Sequence, residues 1–189
     1  MAAPASEATM DRRMRKTRRA IREALQTLLQ NGAIEQITIK DIAAEADIGY
    51  TTFFRHFPSK EAALADLADT EAAELIDFSF PLLSSQDSRA SCIALCRHVD
   101  EKRRVWSALL TSGAAGIVRD ALAAHTLERA GDWPAARAWL PEGAGTTLVI
   151  GLTVEVLTWW LSSARQLSAE QVGEIMDRLF VAQLIAQSD

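Results

Sequence analysis

The segment that most constrains this 189-residue chain is Ile37 to Lys60, ITIKDIAAEADIGYTTFFRHFPSK. Thr38 is a good N-cap, and Asp41 three residues later completes a capping box. Ile37 and Ile42 flank the cap where a hydrophobic staple belongs. Ile42, Ala43 and Ala46 then repeat at helical spacing, with side chains small enough for a second helix to cross close by. Asp47 tolerates the left-handed backbone of a sharp turn. Gly49 opens a new helix, on which Phe53 and Phe57 share one face. Pro58 stops it, because a residue before proline avoids the helical region, and Ser59 caps the next helix. The middle helix is about two turns long, too short to stand alone. Its neighbours must hold it by its aromatic face, leaving Tyr50, Thr51, Thr52, Arg55 and His56 outward. A short, externally supported helix with a polar outer face is what a helix-turn-helix protein presents to the major groove.

The run TIKDIAAEADIGYTTFFRHFPSKEA resembles the DNA-binding motif of the tetracycline-repressor family of bacterial transcriptional regulators. A capped helix, an A-x-x-A turn, an aromatic-rich reader and F-P-S-K-E follow one another in the family's order. The resemblance covers about residues 12 to 70. It implies an all-α protein with a three-helix head, a helical regulatory and dimerisation domain, and about nine helices in all. By match to the family motif, Tyr50 and Thr51 reach base edges with help from Thr52. Thr38, His56 and Lys60 match positions that hold phosphates. Two departures fall on the reader itself: Phe54 stands where the family usually has Tyr, and Gly49 where it often has Ser or Thr. Asp47 stands where Gly is common.

Charge is unevenly placed. Residues 1–60 carry 10 Lys+Arg against 7 Asp+Glu, whereas 61–189 carry 10 against 18. A basic head on an acidic remainder suggests that one end faces phosphate, and it disfavours an architectural protein that coats DNA. The first helix, expected from about residue 11 to 31, gathers Arg12, Arg13, Arg15, Lys16, Arg18, Arg19 and Arg22 in its early turns. Cations there oppose the helix dipole, so an external anion such as a DNA backbone accounts for them.

Residues 1–9 are expected to be disordered, 10–58 to form the DNA-binding domain and 59–189 the regulatory domain. The fourth helix should run from 59 to about 78 and end before Pro81. Five more follow, over about 88–100, 102–111, 114–130, 143–163 and 168–187. The segment 147–161 is the most apolar but is broken by Glu155, so no membrane span is expected. The first residues lack a secretory pattern, which points to the cytoplasm.

Leu152, Val156, Trp159 and Trp160 on the eighth helix, with Val172, Ile175, Met176, Leu179 and Phe180 on the ninth, make broad apolar faces. Two such hairpins from two chains build a four-helix bundle, which is where the resemblance places the homodimer interface. Trp106, Leu109, Leu110 and Ile117, with Cys96, Trp133 and Trp139, are candidates to line a pocket for an unidentified, largely apolar effector. Cys92 and Cys96 read as small buried core residues, since His98 lies roughly 200° around the helix from Cys96. No cofactor, metal cluster or catalytic motif is evident, so an enzyme is not expected. A regulator released by its ligand from a palindromic operator is the function these features imply.

Overall fold

The computed structural model describes residues 4–83, 87–111, 115–128, 139–141, 143–162 and 167–184. These residues contain helices and no strand. They divide into two compact units, Met1–Leu67 and Ala68–Asp189. Trp133 and the segments 129–138 and 163–166 lie outside the described residues.

In the first unit, α1 spans Pro4–Asn31, α2 Ile39–Glu45 and α3 Tyr50–His56; α4, Lys60–Leu83, begins here. The first helix thus starts at Pro4, not near residue 11, so residues 4–9 are helical rather than disordered. Gly32 closes α1 by donating its N–H to the Leu28 carbonyl. Ile21, Leu25 and Leu29 of α1, Ile42 of α2 and Phe53 of α3 are all buried, whereas Met14 is exposed. Removing a side chain the size of Phe53 from water contributes about 1.5–3 kcal/mol. That burial holds a two-turn helix which has no stability of its own. The boundary between units falls within α4 rather than at 58/59 because the first turns of α4 are tied into the head. Asp66 there binds Arg18 and Arg22 of α1.

The second unit holds the rest of α4, then α5 (Ser88–Glu101), α6 (Arg103–Thr111), α7 (Ala115–Glu128), α8 (Ala144–Ser162) and α9 (Ala169–Met176). The last continues through a π-helical stretch, Asp177–Val181, into Ala182–Leu184. The fourth helix does not stop before Pro81 but runs on to Leu83, although a proline there gives up the N–H that would bond to the carbonyl four residues back. Asp87 caps α5 by accepting from the Ala90 N–H, and a Ser168–Gln171 capping box starts α9. Helix α5 packs along α9, and α8 packs against α6 and α7. Trp106, Leu109, Leu157, Trp160 and Met176 fill the interior. Trp160 donates its indole N–H to the Leu167 carbonyl at 2.9 Å, and the Arg103 guanidinium covers its ring at 4.8 Å.

Gly173 is where α9 meets α5 most closely. A Cβ at this position would lie 2.6 Å from the Ile93 Cα and 2.9 Å from the Cys92 carbonyl carbon. Helix α8 is, against expectation, long and apolar enough by composition to cross a membrane, because a single Glu155 does not offset the aliphatic residues around it. Its Val149, Ile150, Val154, Leu157 and Trp160 are buried in the second unit.

Candidate nucleic-acid interface

The capping box is present at the head of α2. The Thr38 hydroxyl accepts from the Asp41 N–H at 3.2 Å, while the Asp41 carboxylate accepts from the Thr38 N–H at 2.9 Å and its hydroxyl at 2.7 Å. These bonds hold the Asp41 carboxyl below the usual carboxylate range. They also occupy the hydroxyl that the motif assigns to phosphate. Ala46 ends α2. Asp47 then turns the chain with φ +52°, and the Ile48 N–H returns to the Ala43 carbonyl at 2.9 Å.

Gly49 caps α3 without a side-chain bond. Phe53 and Phe57 point inward, at 0% and 2% exposure, while Tyr50 and Phe54 stand at 48% and 43%. Tyr50 meets Phe54 edge-on at 5.2 Å, and Phe54 meets Phe53 at 5.6 Å. The outer aromatic pair is therefore braced by the core one. Thr51 and Arg55 are exposed, and Thr52 and His56 half-buried. His56 Nδ1 is buried and without a hydrogen-bond partner among the described residues. Burial first, then the charges of Arg55 and Arg18, lower the His56 pKa from 6.5.

Lys60, whose motif position implies a phosphate contact, is bonded within the head itself. Its ammonium donates to the Ile34 carbonyl at 2.8 Å and the Ile37 carbonyl at 3.0 Å, tying the start of α4 to the segment before α2. The basic run on α1 divides in the same way. Arg18 and Arg22 grip Asp66, with Arg18 also over the Phe57 ring at 4.8 Å. Arg19 pairs with Glu23 at 2.7 Å. Arg12, Arg13, Arg15 and Lys16 are exposed. Of the outward residues on α3, Arg55 is the one the motif match passed over, although its place in the last turn, two before Phe57, already put it outside.

A partly open, apolar-lined cavity of about 50 Å³ lies in the second unit. Leu75 and Ile76 of α4, Leu122 of α7 and Ile150 of α8 form part of its wall. Cys92 of α5, Met176 of α9 and Val181 complete another side. Its two serine hydroxyls are bonded to backbone: Ser79 donates to the Leu75 carbonyl and Ser91 to the Asp87 carbonyl, while Thr153 adds a third hydroxyl to the wall. The residues expected to line a pocket stand elsewhere. Cys96, Trp106, Leu109 and Leu110 are buried in the core but not in its wall, and Ile117 and Trp139 are 40% and 71% exposed.

The two apolar faces expected at a dimer interface also split. Trp160, Val172, Met176 and Phe180 are buried within this chain's own core. Leu152, Trp159 and Leu179 remain exposed, with Leu148 beside them and Val156 and Ile175 half-buried.

A capped helix, a left-handed turn and a braced two-turn helix with a solvent-facing outer surface define a helix-turn-helix DNA-binding head. Residues 21–67 match the family model described as "Bacterial regulatory proteins, tetR family", so the head of the chain is similar to that family's DNA-binding region. The chain is 36% identical over 72 residues to an uncharacterized HTH-type transcriptional regulator, YxbF, of Bacillus subtilis (strain 168). That match takes in 38% of this chain but only 19% of the relative's length. Among solved structures it resembles a TetR transcriptional regulator from Rhodococcus sp. RHA1, with TM-score 0.65 and 16% identity over 92% of this chain and 99% of that one. It also resembles the Thermus thermophilus FadR repressor, solved with lauroyl-CoA. There the TM-score is 0.61 and the identity 18%, over 91% of this chain and 97% of that one. At such identities the likeness establishes a shared fold.

Proposed function

We propose that this protein is a homodimeric, cytoplasmic transcriptional repressor that binds a palindromic operator and leaves it when a small apolar molecule enters the second unit. The observation that carries the DNA reading is the split of α3. Phe53 and Phe57 are sunk in the core while Tyr50, Thr51, Phe54 and Arg55 face solvent. Tyr50, Thr51 and Thr52 read base edges, Thr methyls against thymine methyls and hydroxyls to bases or phosphates. Arg12, Arg13, Arg15, Lys16 and Arg55 neutralise phosphates, and Gly49 lets the start of α3 approach the backbone closely. His56, half-buried and charged only below its lowered pKa, contributes position more than charge.

The exposed apolar strip of Leu148, Leu152 and Trp159 on α8, with Leu179 beyond α9, suits a second copy of the chain. The dimer sets its half-sites about one DNA turn or slightly more apart. The effector is uncharged and largely apolar, because the cavity offers no charged side chain, mostly aliphatic walls and two serine hydroxyls already bonded to backbone. Ligand and operator oppose one another through their differential affinity for two states.

The test is selection of bound duplexes from a random pool, followed by salt titration of the winner. A repressor enriches one palindrome and loses affinity steeply with salt. Equal binding to random duplexes would sink the proposal.

A further inference from the structure

Cys92 and Cys96 stand four residues apart on α5 and so share one face of it. They are 3% and 0% exposed. The sequence offers them no third ligand, and in the structure His98 stacks on Phe78 at 4.6 Å instead. Helix α9 supplies the missing group. Met176, 1% exposed, places its sulfur 3.5 Å from Cys96 Sγ. Met176 and Cys92 also line the same cavity. The absence of a Cβ at Gly173, against the Cys92 and Ile93 backbone, lets α9 pack close enough to α5 for Met176 to reach its cysteine face.

We infer that Cys92, Cys96 and Met176 form a binding site for copper(I). Two thiolates and a thioether are soft donors, the set that selects this ion. A trigonal metal–sulfur length of ~2.3 Å places sulfurs ~4 Å apart, close to the Cys96–Met176 separation. Zinc is disfavoured: among the described residues no three His, Cys, Asp or Glu converge, and a structural zinc site asks for four such donors. Each copper(I) displaces two thiol protons into solvent, and nothing is oxidised or reduced. Without the ion, burial and the neighbouring acids push both thiols up to about 12, so the pair stays protonated and inert. Asp177 acts on Cys92, and Asp100 and Glu170 on Cys96. The cavity beside Cys92 and Met176 is the route in.

The test titrates the full chain, reduced and without oxygen, with copper(I) delivered as its acetonitrile complex. Bathocuproine disulfonate serves as competitor. The expected result is one ion per chain, with X-ray absorption showing sulfur ligands alone. Met176→Leu, which preserves volume, should weaken binding by at least about tenfold, and the Cys92→Ala/Cys96→Ala pair should abolish it. No competition-resistant binding, nitrogen or oxygen ligands, or undiminished affinity in Met176→Leu would overturn the assignment. Circular dichroism checks folding; if the double variant unfolds, Met176→Leu decides alone. Because no duplex enters the measurement, its outcome is independent of the DNA-binding reading.

Discussion

Lys60 carries a charge at a position where the family motif holds phosphate, and its ammonium also donates to two backbone carbonyls. Lys60→Ala should therefore lower the stability of the head by about 1–2 kcal/mol, as two hydrogen bonds to a charged donor are lost. Denaturant unfolding followed by circular dichroism measures it. A variant that keeps full stability but binds all duplexes more weakly would return Lys60 to the phosphate role. His56 makes a pH prediction. Its folded pKa is depressed from 6.5, so the unfolded chain takes up the proton first as pH falls. Stability is then full above the unfolded value and declines as pH drops through it. His56→Gln should flatten that decline in thermal melts between pH 7 and 5. The capping residues were legible from sequence because a capping box is local, with both partners within four positions. The roles of Lys60, Arg18 and Arg22 were not, because their partners lie on other elements and no spacing rule brings them into view.

At the scale of elements, α3 is an outer face bolted to an inner one. Tyr50→Ala removes an exposed ring and should erase preference for the selected operator over random DNA, with the melting temperature nearly unchanged. Competition binding against both duplexes checks this; a melt that collapses would mean the ring is structural. The pairing of α5 with α9 rests on the missing side chain at Gly173. Gly173→Ala forces a methyl into backbone atoms, which cannot swing aside as a side chain can. The expected cost is about 1–3 kcal/mol, read as a fall in melting temperature. Sequence periodicity found these helices but misassigned their faces. Trp159 and Trp160 are adjacent and equally apolar, yet one is 48% exposed and the other fully buried. Periodicity identifies an apolar stripe and is blind to whether a neighbouring helix of the same chain or of another one covers it.

Across the whole molecule, the strip left open by the chain's own packing predicts its oligomeric state. Leu179, at 67% exposure, and Trp159 can each be changed to Glu without disturbing the monomer's interior. Either variant should sediment as a folded monomer and lose operator affinity, since each half-site alone binds weakly. A dimer that persists in both would place the interface elsewhere. The cavity was illegible in the sequence because its wall draws on five helices, each giving aliphatic residues that look like any other core position.

The size of that cavity decides how the second unit responds to a guest. At about 50 Å³ it has room for a few water molecules, so any larger molecule must make space by moving a wall. Gly173 locks α5 and α9 backbone to backbone, and that side has no slack. The yielding sides are α4, α7 and α8, so the guest's bulk is converted into displacement of those three helices while α5 and α9 serve as the anvil.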